Sequence, residues 1–368
     1  MLFLTIFTFI LVISILIISH ESFHFIVAKK TNLVVEEFCI GYPPRIFKKK
    51  KGDTTYSIGL FPGGGFVKIQ GIDDPEKKES YSFYSKSLKA RFFIVLAGVV
   101  ANFLLAVILF SIGFSIGLPE AIKDEIPVGA RDVGISIVEV AKNSPAEISG
   151  IKIGDKVLKI REPESGEEKE IKKVWDVKDF TERYPGQELV ITLQRRNQTL
   201  EKKVIARENP PQDEGPIGIV MVKTARISYP WYKAILKGVE NTFWLTKTTL
   251  EYIFKALKGA VVGKPLKGVE LTGPIGIGLL VSQMVNLGWI YVLQFTAILS
   301  LNLAIINILP FPALDGGRLI FLFVESIRKH PINPKIENLV NNIGFAILLI
   351  LMLIVSLQDI KRLLGLLG

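Results

Sequence analysis

The chain has 368 residues, 49% of them hydrophobic and 22% charged, with a net charge of +10; its mean hydropathy of +0.38 is too high for an ordinary soluble enzyme and makes a bilayer the expected environment. The positive charge is no argument for nucleic acid, because Lys and Arg gather beside apolar runs instead of forming one soluble patch, so the lipid bilayer, and anionic lipid in particular, is the expected partner. The single cysteine, Cys39, excludes an internal disulfide.

Four stretches carry no charge over a membrane's width: Met1–His20, Phe92–Pro119, Leu271–Leu314 and Leu339–Gln358. A spanning helix needs about 20 such residues. The third stretch is too long for one helix, so its span is placed at Gly288–Leu314, with 271–287 as a peripheral or re-entrant approach. The first stretch lacks leading basic residues and a small-residue cleavage site, so a retained helix is expected in place of a secretory signal. Lys29, Lys30, Arg45, Lys48, Lys49, Lys50, Lys51, Lys86, Lys89 and Arg91 crowd the connection between the first two spans, and Arg328, Lys329 and Lys335 the connection between the last two. By the positive-inside rule both loops are cytoplasmic, and both termini and the region Ala121–Lys267 lie outside.

In chain order the expected division is a first transmembrane helix at 1–28, a cytoplasmic region at 29–90 with a β-hairpin at 53–71, and a second span at 91–119. A compact outer α+β domain follows at 128–210, then a linker or strand at 211–230 and an amphipathic helix at 231–265. The approach and third span occupy 271–326, the fourth span 339–358, and a tail 359–368. In the hairpin, two β-type runs flank Gly63, Gly64 and Gly65, and its uncharged tip suits the membrane surface. In the outer domain, Ser144-Pro145-Ala146 opens a short helix ending at Gly150. A Gly154-Asp155 turn leads into a strand, 176–184 reads as a second helix, and 188–194 pairs with 199–206 around Asn197. From Trp231 to Lys258, apolar residues recur at near-helical spacing opposite lysines, the pattern of a helix lying on a membrane.

Chemistry concentrates in His20-Glu21-Ser22-Phe23-His24, where the two histidines, four apart on a helix, share a face and can reach one zinc ion. Glu21 is placed to take a proton from water beside the metal. Ionisable groups at the end of a transmembrane helix cost about 2.5 to 3.5 kcal/mol each near its centre and persist mainly for function. A catalytic zinc site needs a third protein ligand. His330 sits in a basic loop and reads as a solvated surface residue. Asp315 is better placed, because Pro310 and Pro312 interrupt an apolar helix just before Asp315-Gly316-Gly317, and irregular backbone at membrane depth survives only beside a cavity or buried in protein. Asn302 and Asn307 offer amide donors for a substrate backbone or an oxyanion, or for bonding between helices.

Taken together, His20-Glu-Ser-Phe-His24, Gly59-Leu-Phe-Pro-Gly-Gly-Gly-Phe-Val-Lys68, Gly98-x-x-x-Asn102, Gly273-Pro-Ile-Gly276 and Asn307-x-x-Pro-x-Pro-x-Leu-Asp-Gly-Gly317 resemble the bacterial site-2 proteases of the RseP type, the regulator of sigma-E protease group, over nearly all of the membrane part. The resemblance implies a polytopic α-helical membrane protein with four transmembrane helices, a membrane-associated β-hairpin and one extracytoplasmic PDZ-like domain of the permuted kind. It implies one zinc ion on His20, His24 and Asp315, Glu21 as general base, and Asn302, Asn307 and the hairpin at Gly63, Gly64 and Gly65 as substrate contacts, the hairpin adding a strand to an extended substrate. The implied activity is intramembrane proteolysis of single-span proteins already trimmed by another protease, such as anti-sigma factors or remnant signal peptides, in the bacterial inner membrane. The sequence departs from the family pattern in having one PDZ-like domain where a tandem pair is common, Arg318 where histidine is common, and Val99 where proline is frequent. The outer domain and the amphipathic helix are expected to act as a size filter. The rivals from other classes are a membrane adaptor with a vestigial metal site and a zinc transporter.

Overall fold

The computed structural model describes residues 2–72, 81–123, 125–196, 198–211, 214–263, 272–330 and 332–365. The turn residue Asn197, the start of the approach segment at Leu271 and the last three residues of the tail lie outside the described residues. The described chain divides into two compact units, 1–112 with 235–368, and 113–234.

Among the described residues, four helices are long and apolar enough to cross a membrane: α1 (Leu2–Lys30), α2 (Leu88–Ile116), α7 (Trp289–Ile308) and α9 (Pro334–Gly365). The 29 residues of α1 make about 43 Å at 1.5 Å per residue, enough to cross a hydrocarbon core of about 30 Å and reach both headgroup layers. Its face at Leu2, Phe3, Phe7, Leu11 and Ile15 is exposed, as a lipid-facing stripe must be. The approach segment is a helix, α6 (Pro274–Leu287), whose N-terminus is capped from another helix: the buried Asp359 of α9 accepts the amides of Gly273 and Gly276 at 3.0 and 2.8 Å. The third span ends earlier than expected, at Ile308, because Pro310 and Pro312 cannot continue it, and a separate helix α8 (Asp315–Arg328) begins at the acid.

Strands β1 (Val35–Lys51) and β2 (Thr54–Ile69) follow α1. The sequence reading pairs the two runs of the 53–71 hairpin with each other across the glycines. Instead both runs pair with β1: Phe38 stands opposite Val67 on one side and Tyr56 on the other, and Cys39 opposite Phe66 and Ser57. The physical reason is that residues 35–40 form a strand with both edges open. Val35, Glu37 and Cys39 are buried on one face, and the charge of Glu36-Glu37 hides that alternation in the sequence. Glu37 is buried because Arg45 donates to it from Nε and Nη2 at 2.6 Å each, and Ser57 Oγ donates at 2.5 Å. The Arg45 bond, with Ser57 adding to it against the cost of burial, holds the Glu37 carboxyl below the usual carboxylate range. A depressed carboxylate stabilises the sheet at every pH above its unfolded value, and the contribution is lost as pH falls through the folded value. Amide protection at Cys39 and Ser57 is therefore expected to fall on acidification below the ordinary glutamate range in the wild type, and to be low and flat with pH in Glu37→Gln; equal profiles would refute the assignment.

The second unit is built on a sheet in the order β3 (Pro119–Ala121), β9 (Ile219–Arg226), β4 (Arg131–Val140), β5 (Lys156–Arg161), β7 (Glu188–Arg195), β8 (Gln198–Ile205), with β6 (Glu168–Glu170) beside β5. Two helices, α3 (Pro145–Ile148) and α4 (Val174–Arg183), join it, and the core is formed by Ile135, Ile137, Ile160, Phe180, Leu189, Ile191 and Leu193, each nearly inaccessible to solvent. Residues 211–230, read as a linker or strand, contribute β9, which stands between β3 and β4 inside the sheet. Ser144 caps α3 by accepting the Glu147 amide at 3.2 Å. Asp155, from the Gly154-Asp155 turn, is fully buried and accepts Arg195 Nε and Nη2 at 2.6 and 2.7 Å and the Lys152 amide at 2.8 Å. Removing the acceptor leaves the partly exposed Arg195 and the Lys152 amide without it, so Asp155→Ala is expected to cost this unit about 1 to 3 kcal/mol, measured as lost hydrogen-exchange protection in β5 and β7; a loss within experimental error would show the pair to be neutral.

The remaining long helix, α5 (Trp231–Val261), exposes Ile235, Leu236, Phe243, Trp244, Phe254 and Leu257 among its apolar residues.

Candidate metal centre

Helix α1 presents His20 and His24 on one face, and the loop that closes α7 brings Asp315 to them. The two Nε2 atoms are 3.2 Å apart, and Asp315 Oδ2 lies 3.3 Å from His20 Nε2 and 3.4 Å from His24 Nε2. Three ligand atoms on a tetrahedral zinc ion at about 2.05 Å stand about 3.3 Å from one another. The triangle has that size, and a direct charge-assisted hydrogen bond would be shorter. Asp315 Oδ2 is buried without a hydrogen-bond partner among the described residues, and the two imidazole nitrogens face each other, an arrangement that a cation between them satisfies. The donor set therefore fits a zinc ion.

Further contacts orient the two histidines. His24 Nδ1 donates to the Ile94 carbonyl at 2.7 Å, which leaves its Nε2 lone pair free for a metal. His20 Nδ1 lies 3.2 Å from the side-chain amide of Asn102, a residue with no exposed surface. Metal ligation through Nε2 leaves the proton on Nδ1, so the Asn102 amide, whose Nδ2 makes this contact, must turn to present Oδ1, the atom that has no partner among the described residues. Ser300 Oγ of α7 donates to the Asn102 carbonyl at 2.8 Å, which holds α7 against α2 at this level. One turn before Asn102, a Cβ on Gly98 would clash with His24 Nε2 and His20 Cε1 and come within 2.6 Å of His20 Nε2. Glycine is what lets α2 close over both rings.

The ligand loop has the same dependence on glycine. A Cβ at Gly316 would strike the carbonyls of Ile308 and Leu309, and one at Gly317 would come within 3.0 Å of Pro312 Cα. A cavity of about 340 Å³ opens beside the centre, lined by His20, Glu21, His24, Asp315, Phe66, Val67, Ile69, Ala313, Arg318 and Asn341 among others. Glu21 lies in its wall, facing the Val67 amide of β2. Gly65 brings that strand against α1, since a Cβ there would be 2.9 Å from Ile17 Cγ2 and 3.6 Å from Glu21 Cγ.

The residues read from the sequence divide accordingly. His20, His24, Asp315 and Glu21 come together, and Gly65 adjoins them. Gly64 packs against the Tyr42 ring, while Gly63 lies within β2. Asn302 and Asn307 are half-buried on α7, outside the cavity lining, with no side-chain hydrogen bond among the described residues. His330 is exposed and apart from the cluster. Gly98 and Asn102 were visible as a motif without a role; a glycine and an asparagine one turn apart inside an apolar span were the available signal. Ile94 and Asn341 gave none.

Four apolar helices of membrane-crossing length and a half-buried His-His-Asp cluster of the HExxH kind are what a polytopic membrane metalloprotease requires. The family model for Peptidase family M50 matches residues 8–351, and the chain belongs to that family. It is 31% identical to the zinc metalloprotease RasP of Bacillus licheniformis, with 98% of this chain and 99% of the relative aligned. It is 29% identical to the regulator of sigma-W protease RasP of Bacillus subtilis, over 98% and 99% of the two chains. The zinc metalloprotease RasP of Geobacillus kaustophilus is 28% identical, over 97% and 98%.

Proposed function

We propose that the chain is a zinc metalloendopeptidase that cleaves transmembrane segments of single-span membrane proteins, with His20, His24 and Asp315 as ligands and Glu21 as general base. The observation that carries this reading is the triangle of three donor atoms 3.2 to 3.4 Å apart beside a glutamate in a cavity within the spans. Zinc on these ligands supplies a Lewis acid that polarises a carbonyl and lowers the pKa of water. Glu21 takes the proton from the attacking water and delivers it to the leaving amine. Asn102 and the Ile94 carbonyl keep both imidazoles in the tautomer and orientation that ligation requires.

A helical substrate hides its peptide bonds, so it must unwind locally, and its freed backbone groups need partners because each costs several kcal/mol unpaired in an apolar medium. The β2 edge supplies them: Phe66, Val67 and Ile69 line the cavity, and an extended segment adding to this edge runs past Glu21. Asn302 and Asn307 remain candidates for holding the substrate backbone farther along α7.

In the second unit, a cavity of about 690 Å³ runs between α4 and β9, lined by Val174, Val177, Thr181, Ile217, Gly218 and Ile219. It supports a PDZ-like role for residues 128–210, completed by β9, in selecting or filtering substrates. The basic loops support an orientation with both termini and this unit outside the cytoplasm, in a chain that spans the inner membrane of a bacterium. The relative named as a regulator of sigma-W protease supports a role in regulating a sigma factor, and the resemblance to the RseP type makes trimmed anti-sigma factors the substrates to try.

The test uses purified full-length protein in detergent with a single-span substrate. One zinc per chain is expected, with cleavage lost on chelation and restored by zinc. Cleavage that survives complete removal of metal would overturn the proposal.

A further inference from the structure

The geometry points to Asn341 of α9 as a positioning residue for the third metal ligand, making the last transmembrane helix a clamp on the loop that carries Asp315. The inference rests on the metal reading proposed above and concerns what sets its affinity.

Three residues on one face of α9, Glu337, Asn341 and Gly344, spaced four and three apart, each hold a different group. Glu337 accepts the Tyr84 hydroxyl at 2.9 Å. Asn341 Oδ1 accepts the Ala313 amide at 3.2 Å. Gly344 lies against Pro312, whose carbonyl oxygen would be 2.7 Å from a Cβ at that position. Successive residues of the ligand loop, Pro312 and Ala313, are thus gripped one helical turn apart. Ala313 has φ of 74°, in the left-handed region that an alanine occupies only under constraint, and it lies two residues before Asp315. Its amide is the group that α9 engages.

The side chain of Asn341 is costly where it stands. Its Nδ2 is buried with no hydrogen-bond partner among the described residues, although the residue lines the cavity beside the cluster. A leucine, with the same branching and the same number of side-chain heavy atoms though bulkier, would occupy the site without that orphan donor. What leucine cannot supply is the acceptor that holds Ala313 left-handed, and with it the direction in which Leu314 and Asp315 leave the loop. Asp315 Oδ2 is then presented to the two imidazoles with little freedom left to lose on metal binding, which raises affinity.

The experiment measures zinc affinity by competition with a chromogenic chelator on full-length protein in detergent, and compares wild type with five variants. Asn341→Leu is expected to bind zinc about tenfold more weakly, in the range found for partners that orient a ligand. Ala313→Gly added to Asn341→Leu should recover much of that loss, because glycine adopts the left-handed conformation without help. Ala313→Val, which disfavours that conformation without touching α9, should weaken zinc as Asn341→Leu does, so the result does not depend on one variant folding. Asn342→Leu, at the exposed neighbouring position, should match wild type, and His24→Ala should hold little zinc. Wild-type affinity in Asn341→Leu, or an equal loss with and without Ala313→Gly, overturns the clamp while leaving the metal reading intact. Wild type and His24→Ala with the same zinc content would overturn both.

Discussion

Gly98→Ala is expected to abolish zinc binding, and cleavage with it, although Gly98 is neither a ligand nor a base. The added methyl would occupy the space of both imidazole edges, within 2.6 Å of His20 Nε2 and closer still to His24. Real Cβ atoms are not found at such distances, so either both rings rotate or α2 withdraws from α1. Rotation breaks the bonds from His24 Nδ1 to Ile94 and from His20 Nδ1 to Asn102 together. Withdrawal removes the same two partners by another route. Losing one orienting partner costs about 10- to 100-fold in metal affinity, so losing two and displacing the ligands should exceed about a hundredfold. Elemental analysis of purified Gly98→Ala should find nearly no zinc, while Val100→Ala, at an exposed site on the same helix, keeps a full complement. Wild-type zinc content in Gly98→Ala would show that the rings adapt and that the close approach is not required.

Glu21→Gln should give the complementary result, with full zinc content and cleavage of a single-span substrate reduced by about 10² to 10⁴, the contribution of a positioned proton carrier. Glutamine is nearly isosteric and Glu21 is outside the ligand triangle, so the centre keeps its geometry; what disappears is the carboxylate that accepts and returns a proton. Zinc in both proteins with cleavage only by wild type would establish the metalloprotease and the base together. Zinc without cleavage by either would favour an adaptor with a vestigial centre. Equal cleavage by both would remove Glu21 from the mechanism.

The two variants separate functions that lie within one helical turn of each other. The zinc transporter reading is disfavoured by the arrangement itself: among the described residues one three-donor cluster is present, with no second set continuing across the spans.

The amino-acid sequence by itself determined the features whose signal is local. The four spans follow from the length of uncharged runs, the HExxH pair from a four-residue period on one helix, and an irregular stretch before Asp315 from two prolines, although the helix ends at Ile308 and not at Leu314 as the run length suggested. The choice of Asp315 also came from local evidence, an acid following a disrupted helix. Only the tertiary structure decided which partners those residues meet. The β1 strand was hidden because Glu37 is buried through Arg45 and Ser57, so its charge misrepresented its environment. The pairing of both β2 runs with β1 depends on two open strand edges, and residue alternation records a face but not an edge. Asn341 reaches Ala313 from 28 positions away, and His24 reaches Ile94 from 70. Such contacts leave no period in the chain, because they are fixed by how helices pack once formed, and packing alone turned a glycine and two asparagines into the supports of the centre.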